Sequence, residues 1–208
     1  MKASVRIRIQ YYGRWLSRIL FGLIVRGTEN VPRRGGLIIA CNHISEMDPP
    51  VLGFSIPRNF AIMAKVELFK YSFGEYFLRK LNAFPVNRAG IDTKALRTAI
   101  DYLRGGEAVV IFPEGTRSHD GRLLPAKAGI SLIASASGAP VLPAFIWGTD
   151  HPLDALTRKG KPFSVTFGKL ISSMELKEIK KKEGKHAVAE TVVAAIADTG
   201  YQTGLYSK

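Results

Sequence analysis

Cysteine is almost absent from this sequence, which excludes several kinds of site. Cys41 is the only cysteine, so an internal disulfide and a zinc site built from cysteines are excluded. Its neighbours suggest a small buried hydrophobic residue. The four histidines, His43, His119, His151 and His186, do not have the spacing of metal ligands. The sequence therefore predicts no metal site.

Long apolar runs are also missing. The longest uncharged run near the amino terminus is Ile19–Val25, far short of the ~20 residues of a membrane-spanning helix. Arginines interrupt every apolar stretch there, which argues against a signal peptide. A basic helix rich in Trp, Phe and Leu that lies in the membrane interface fits better, and the alternative is an amphipathic helix docked on the domain. We therefore divide the chain into an amphipathic membrane-interface segment, residues 1–26, and a main domain, residues 27–208.

The motifs of several common enzyme classes do not occur. No G-x-S-x-G elbow is present, so Ser45, Ser118 and Ser131 are weak candidates for a nucleophile. Neither a P-loop nor a dinucleotide-binding fingerprint is found.

Positive charge is in excess, with a net charge of +13 over 208 residues. Residues 1–36 hold eight Lys/Arg and one acid, and residues 158–186 hold nine Lys/Arg and three acids. Two such basic ends would attract nucleic acid or acidic lipid. The basic residues alternate with bulky aliphatic residues, and no nucleic-acid-binding module is recognisable. We therefore expect an anionic membrane surface as a partner and no nucleic acid.

Short apolar runs alternate with amphipathic stretches after residue 35. The runs that predict buried strands are Gly36–Cys41, Phe60–Ala64, Ala108–Phe112, Val141–Ile146 and Phe163–Phe167. The stretches that predict helices are Glu67–Leu81, Asp92–Arg104, Lys127–Ser137 and His186–Ala197. This alternation predicts a single α/β domain with a mixed, largely parallel central sheet flanked by helices, preceded by the basic amphipathic segment.

Polar residues follow two of these strands, where an α/β sheet usually carries its function. His43 and Asp48 come after the first strand, and they would not share a face of a regular helix. A contact between them needs a turn, which Asp48 could supply by capping a helix whose first residue is Pro49. Asp48 would then orient His43 as a general base. The alternative is a plain helix cap beside an ordinary loop histidine.

Cations and an acid lie near the ends of three apolar runs, one of which is the second of these two strands. Glu114 and Arg117 follow the third predicted strand, where they could orient a polar substrate or form a local ion pair. Lys65 and Arg88 also follow apolar runs, and a phosphate would suit all three cations. Taken singly, a cation in such a position is more often a surface charge than a ligand.

Four motifs in register make the sequence similar to the glycerolipid acyltransferases, most closely to the bacterial lysophosphatidic acid acyltransferases. The motifs are N-H-x4-D at Asn42–Asp48, F-P-V-x-R at Phe84–Arg88, F-P-E-G-T-R-S at Phe112–Ser118 and V-x-P at Val141–Pro143. The likeness runs from about Gly27 to Thr149. One departure is Asn82-Ala83, where the second motif usually opens with glycine; Asn tolerates the left-handed backbone conformation well.

The resemblance implies a reaction and roles for these residues. The protein would move a fatty acyl group from acyl-CoA or acyl carrier protein to the sn-2 hydroxyl of 1-acyl-sn-glycerol-3-phosphate, forming phosphatidic acid, with no further cofactor. His43 would be the base and Asp48 its partner. The residues implied in substrate binding are Lys65, Arg88 and Arg117 for the phosphate, Glu114, Gly115 and Thr116 in the acceptor loop, and Pro143 towards the acyl donor.

The resemblance also implies a peripheral enzyme on the cytoplasmic face of the cell membrane. Two alternatives stay open from the sequence: an acyltransferase for another lysolipid or an amino-lipid, and a non-catalytic lipid-binding protein that keeps the fold.

Overall fold

A seven-stranded sheet forms the centre of the protein. The computed structural model describes residues 3–70, 75–76, 78–79, 82–87, 90 and 92–204, with side chains from residue 7 onward. The strands are β1 (Ile24–Arg26), β2 (Leu37–Cys41), β3 (Phe60–Lys65), β4 (Ala83–Val86), β5 (Ala108–Ile111), β6 (Val141–Trp147) and β7 (Ser164–Phe167). Their order in the sheet is β1-β7-β6-β2-β5-β3-β4.

The sheet is mixed but largely parallel. Strands β6 and β7 pair antiparallel, and the other described strand pairs are parallel. The central strand β2 is buried along its whole length, as expected for a parallel strand covered on both faces. The predicted fold class is therefore confirmed.

Helices cover both faces of this sheet. They are α1 (Ala3–Phe21), α2 (Asp48–Ser55), α3 (Thr93–Arg104), α4 (Gly129–Ser137), α5 (Pro152–Leu156), α6 (Ser173–Glu183) and α7 (Lys185–Gln202). One layer contains α1, α2 and α5, and its core includes Leu52, Ala155 and Phe163. The opposite layer contains α3, α4, α6 and α7.

All five predicted strands are present, whereas β1 and β4 were not predicted. Strand β1 is only three residues long, too short to show an alternating pattern. Strand β4 contains Pro85, which disfavours a central strand. Because β4 lies at the edge of the sheet, Pro85 is tolerated there.

The predicted helices differ from the observed ones mainly at their ends. Helix α3 begins one residue later than expected, because Asp92 caps it by accepting a hydrogen bond from the Ala95 amide at 2.9 Å. The predicted helix Glu67–Leu81 begins instead as a 3-10 turn, Val66–Lys70. Residues 75, 76, 78 and 79 are helical, and the rest of that prediction lies outside the described residues.

Two observed helices, α5 and α6, had no sequence prediction. Helix α5 has only five residues, and α6 is mostly charged, with Leu176 as its buried residue.

Helix α1 lies on α2 and is fastened there by polar side chains. The Gln10 amide donates to the carbonyls of Ile56 and Arg58 at 3.1 and 3.0 Å, and Arg14 donates to the carbonyl of Ser55. These bonds satisfy carbonyl groups at the end of α2 and in the segment just after it, which have no partner within the helix. Strand β1 follows, so residues 24–26 lie in the sheet. Within the described residues, no helix combines the length and the apolar character needed to cross a membrane.

Candidate active site

The ends of several parallel strands meet at one edge of the sheet. Strand β2 lies between β6 and β5, and β3 follows β5. Because parallel strands end on the same side, the segments after β2, β5 and β6 converge there. These segments carry His43, Glu114 and Thr149.

His43 and Asp48 are in contact, as predicted. The Nδ1 atom of His43 lies 2.9 Å from Oδ2 of Asp48. His43 is 5% exposed and Asp48 is fully buried. Since Asp48 occupies Nδ1, the proton of the neutral ring resides there, and Nε2 is left as the basic atom.

The predicted means of that contact was wrong. Asp48 is not a helix cap that precedes Pro49. It is the first residue of α2, and Met47 holds the capping position. The turn before the helix instead folds around the carboxylate, whose Oδ2 accepts from the amides of Ile44 and Ser45 at 2.7 and 2.8 Å. These amides stabilise the charged form of a carboxylate that solvent does not reach.

Thr149 completes the surroundings of Asp48, and no role for this residue was predicted from the sequence. Its hydroxyl donates to Oδ1 of Asp48, the carboxylate oxygen that His43 does not use. Thr149 is fully buried, two residues after the end of β6. Its position after a buried strand, at the edge that carries His43, was the signal that could have identified it.

Glu114 holds the backbone around His43. It is buried, and its Oε1 accepts from the amide of His43 at 2.9 Å while Oε2 accepts from the amide of Leu124 at 2.8 Å. The carbonyl of His43 accepts from the amide of Ser118 at 2.8 Å. Burial raises the pKa of Glu114, and the two amides act against that rise. Glu114 thus shapes the loop from within the protein.

Asn42 fixes the end of β2 against β6. Its side-chain amide donates to the carbonyl of Ile146 at 2.9 Å, and its side-chain oxygen accepts from the amide of Ile146 at 2.8 Å. These two hydrogen bonds continue the pairing of β2 with β6 by one residue beyond Cys41. His43 therefore follows directly after a fixed segment of backbone. Burial also raises the pKa of the Cys41 thiol, which argues against a thiolate nucleophile.

Phe112 lies between His43 and an apolar cavity. Its ring stacks on the imidazole with centroids 4.2 Å apart. It also lines a cavity of about 230 Å³ beneath α3 and α4. The apolar part of the wall is formed mainly by Met63, Val86, Leu96, Ile111, Ile130 and Ile133. An apolar chain could therefore reach close to the base.

Lys127 stands at this cavity beside the loop after β5. Gly115 has a φ of +69°, and a Cβ placed on it would lie 2.7 Å from Cδ of Lys127. Glycine is therefore favoured at position 115 by its backbone conformation, and the end of the flexible Lys127 side chain lies over it.

The predicted phosphate-binding cations lie partly exposed around this edge. Arg117 pairs with Glu46 at 3.2 Å, and Lys65 pairs with Glu67 at 3.7 Å, in each case through exposed side chains. Such exposed pairs contribute ~0–1 kcal/mol, so a phosphate could replace either carboxylate. Arg88 lies outside the described residues.

The remaining predicted binding residues differ in their setting. Thr116 is exposed in the loop after β5. Pro143 is buried inside β6, opposite Ala40 of β2, and its carbonyl accepts from the amide of Gly168. Pro143 does not line the cavity, and its role stays a prediction. In the described part of the chain, no group of three or more His, Cys, Asp or Glu residues is placed to hold a metal ion.

A buried base with an open nitrogen, next to an apolar cavity and flanked by cations, is suited to deprotonating a hydroxyl on an amphiphilic molecule. Comparison with known proteins gives the same picture. The Acyltransferase family model matches residues 22–147, a range that contains every segment of the site up to the end of β6.

Two relatives and one solved structure extend the match over most of the chain. The 1-acyl-sn-glycerol-3-phosphate acyltransferase of Bacillus subtilis (strain 168) is 35% identical over 172 residues, 82% of this chain and 84% of that protein. The enzyme of that name from Borreliella burgdorferi is 29% identical, covering 93% and 76%. The crystal structure of the 1-acyl-sn-glycerophosphate acyltransferase PlsC from Thermotoga maritima is similar with a TM-score of 0.74 and 32% identity, covering 98% of this chain and 82% of that one.

Proposed function

This chain belongs to the PlsC-like glycerolipid acyltransferase family, and from that premise we propose that it acylates the sn-2 hydroxyl of 1-acyl-sn-glycerol-3-phosphate to form phosphatidic acid. The observation that carries the proposal is the His43–Asp48 pair, 2.9 Å apart and fixed by two backbone amides and Thr149. The acceptor is inferred from the activity for which these relatives are named.

His43 acts as the general base in this proposal. Its Nε2 takes the proton of the acceptor hydroxyl while the hydroxyl oxygen attacks the thioester carbonyl carbon. The carbon–sulfur bond then breaks, and the imidazolium returns its proton to the leaving thiolate. Asp48 keeps the ring in the correct tautomer and stabilises its positive charge, as the aspartate of a serine-protease triad does.

Transfer is direct, without an acyl-enzyme. The acceptor hydroxyl takes the place that serine has in a hydrolase triad. The raised pKa of the buried Cys41 thiol speaks against that residue as a nucleophile.

The phosphate of the acceptor binds to cations at the same edge of the sheet. Arg117 and Lys65 are the described candidates, because each side chain is at least partly exposed and pairs with an exposed acid. A phosphate carries more charge than a carboxylate and offers bidentate acceptors to Arg. Arg88 is assigned to this role from the sequence motif, as Thr116 and Gly115 are to the acceptor loop and Pro143 to the donor side.

The cavity beneath α3 and α4 takes a fatty acyl chain. Its wall is largely apolar, and Phe112 connects it to His43. Burial of methylene groups there contributes ~0.8 kcal/mol each. The donor is acyl-CoA or acyl carrier protein, and no other cofactor takes part.

The enzyme works as a peripheral protein on the cytoplasmic face of the cell membrane. Helix α1 supports this, because it exposes the apolar and aromatic side chains of Ile7, Tyr11, Tyr12, Trp15, Leu16 and Ile19. Arg8 and Arg18 are exposed on the same helix. Aromatic residues with arginines are typical of helices that lie in the interface of an anionic bilayer. The two-part division of the chain stays part of this proposal.

The test is acyl transfer by purified protein from a long-chain acyl-CoA, and in parallel from acyl carrier protein, to lysophosphatidic acid in detergent. Free thiol and phosphatidic acid are measured together. His43→Ala should lower the rate by about 10²–10⁴. His186→Ala, which alters an exposed histidine in the opposite helical layer, should leave the rate unchanged.

Three outcomes would contradict parts of the proposal. Full activity of His43→Ala would eliminate His43 as the base. Activity with another lysolipid but none with lysophosphatidic acid would replace the acceptor. Absence of transfer to any lysolipid, in a folded protein, would favour a lipid-binding role.

A further inference from the structure

Helix α5 exposes two leucines next to the carboxyl-terminal end of α1. Leu153 is 74% exposed and Leu156 is 45% exposed, whereas Ala155 between them is buried. A single exposed leucine needs no explanation, but an apolar group that adjoins another exposed apolar face does. Since α5 packs on α1, the leucines extend the exposed face of α1.

The loop that follows α5 is exposed and basic. It comprises residues 157–162, every one of them exposed, and contains Arg158, Lys159 and Lys161 without an acid. The amides of Lys159 and Gly160 both donate to the carbonyl of Asp154 at 3.0 Å, so the loop is folded back against α5.

This loop is fastened to α1 at two points. The guanidinium of Arg158 donates to the carbonyl of Ile19 at 3.0 Å, near the end of α1. Beyond the loop, Phe163 stacks on Phe21 with centroids 4.5 Å apart, and its amide donates to the carbonyl of Phe21. The end of α1, helix α5 and the basic loop therefore form one surface.

The same loop is joined to the edge that carries the active site. Lys161 lies over the ring of Trp147, 5.0 Å from its centroid, at the end of β6. Thr149, two residues further along, donates to Asp48. A molecule bound on this surface would therefore be close to the entrance of the candidate site.

We propose that α5 and the basic loop 157–162 form a second membrane contact, which together with α1 docks the protein on an anionic lipid bilayer. Leucines beside lysines and arginine match the interface of such a bilayer, where apolar groups enter the acyl boundary and cations meet the headgroups. The two contacts on one rigid surface would fix the orientation of the enzyme, with the edge that carries His43 directed towards the lipid.

This inference depends on the proposed function for its purpose, but vesicle binding is measured without turnover. The full chain is floated with vesicles of phosphatidylcholine and phosphatidylglycerol, and the partition coefficient is determined at low salt. We expect a drop of about tenfold for the Leu153→Ser/Leu156→Ser double variant. We expect a drop of about 25-fold for Lys159→Glu, since each unit of charge near an anionic surface contributes on the order of fivefold and this exchange changes the charge by two units.

Matched controls lie on α6, in the opposite helical layer. Met174 is 75% exposed, so Met174→Ser removes an equally exposed apolar side chain. Lys181→Glu makes the same change of charge at another exposed lysine. Both controls should bind vesicles within about twofold of the parent protein.

Several results would overturn the docking surface. One is vesicle binding as strong as that of the parent protein in both the double-leucine variant and Lys159→Glu. Another is a loss of vesicle binding in Lys181→Glu as large as in Lys159→Glu, which would mean that the vesicles attract the protein through its net charge and not through this surface. A third is a change of oligomeric state in the double variant with vesicle binding intact, which would make the surface a contact between protein molecules.

Two readouts keep this test separate from folding and from catalysis. Lys159→Glu changes only an exposed side chain, so it covers the case in which the double variant does not fold. Acyl transfer to detergent-dispersed acceptor should be unchanged in Lys159→Glu. If the parent protein transfers no acyl group yet floats as expected, the proposed function fails and the docking surface stands.

Discussion

Asp48 has no contact with solvent, yet both of its oxygens accept hydrogen bonds. Oδ2 serves His43 and two backbone amides, and Oδ1 serves Thr149. A buried carboxylate is costly unless its hydrogen bonds are complete. The arrangement therefore keeps a charged partner beside His43 at small cost in stability. The two amides belong to the backbone, whereas the hydrogen bond to Oδ1 comes from the Thr149 side chain and can be removed by substitution.

Removal of the Thr149 hydroxyl should impair both stability and catalysis. Thr149→Val keeps the shape but leaves Oδ1 of Asp48 without its donor, so we expect the free energy of unfolding to fall by ~1–3 kcal/mol. We expect kcat to fall by about tenfold or more, because the carboxylate is no longer held in line with His43. Thr149→Ser should recover most of both quantities, measured by urea unfolding and by thiol release.

Thr166 provides the control for this prediction. It is a threonine of β7 whose hydroxyl is buried and has no hydrogen-bond partner among the described residues. Thr166→Val should leave kcat unchanged and the free energy of unfolding equal or slightly higher. If Thr149→Val behaves like Thr166→Val, Thr149 does not position Asp48.

The sequence identifies some of these residues and not others, for a physical reason. His43 and Asp48 are five residues apart, so one turn suffices to bring them together, and their contact could be predicted. Thr149 lies 101 residues from Asp48, and only the order of β2 and β6 in the sheet joins them. The buried position of Glu114 has the same origin, because Leu124 returns to it from further along the loop.

At the scale of helices and strands, the buried runs were predicted best. Strands such as β5 are continuous apolar segments bounded by glycine or proline, so their pattern is unambiguous. Helix α6 was missed because most of its surface is charged and Ser172, its cap, is a common residue. The cavity beneath α3 and α4 could not be predicted, since it depends on how closely two helices approach the same sheet.

Filling that cavity should change the length of acyl chain that the enzyme accepts. Leu96 lies on α3 and lines the cavity, so Leu96→Phe would take up part of its volume. We expect the ratio of kcat/KM for a long-chain to a short-chain acyl-CoA to fall by about tenfold, a typical effect of one or two methylene groups in an apolar pocket. The measurement is thiol release across a series of saturated donors.

Ile100, one turn further along α3, is the matched position. It packs against the core without lining the cavity. Ile100→Phe should alter stability but not the preference for chain length. An unchanged preference in Leu96→Phe, with the protein folded, would assign the acyl chain to another part of the molecule.

For the molecule as a whole, the structure divides one basic region of the sequence, residues 158–186, between two faces of the protein. Of the cations in residues 158–186, Arg158 bonds to α1 and shares its loop with Lys159 and Lys161, whereas the lysines of α6 belong to the opposite layer. Charge counted along the chain could indicate an anionic partner but not the face that meets it. Of the two predicted alternatives for α1, docking on the domain is observed, because Gln10 fastens the helix. Trp15 on the same helix remains exposed, and its contact with a membrane stays a prediction.

Trp15 should report directly on that face, because the protein has only two tryptophans. In Trp147→Phe, Trp15 is the single tryptophan, and it is 57% exposed. Addition of phosphatidylglycerol vesicles should shift its emission to shorter wavelength and expose it to a quencher attached to the lipid chains, since interfacial helices bury their aromatic side chains ~5–10 Å into the headgroup boundary. Neutral phosphatidylcholine vesicles should give a smaller shift, because the cations beside the helix then lack a counter-charge. Flotation of the variant without any shift in emission would mean that the protein meets the membrane through a face other than α1.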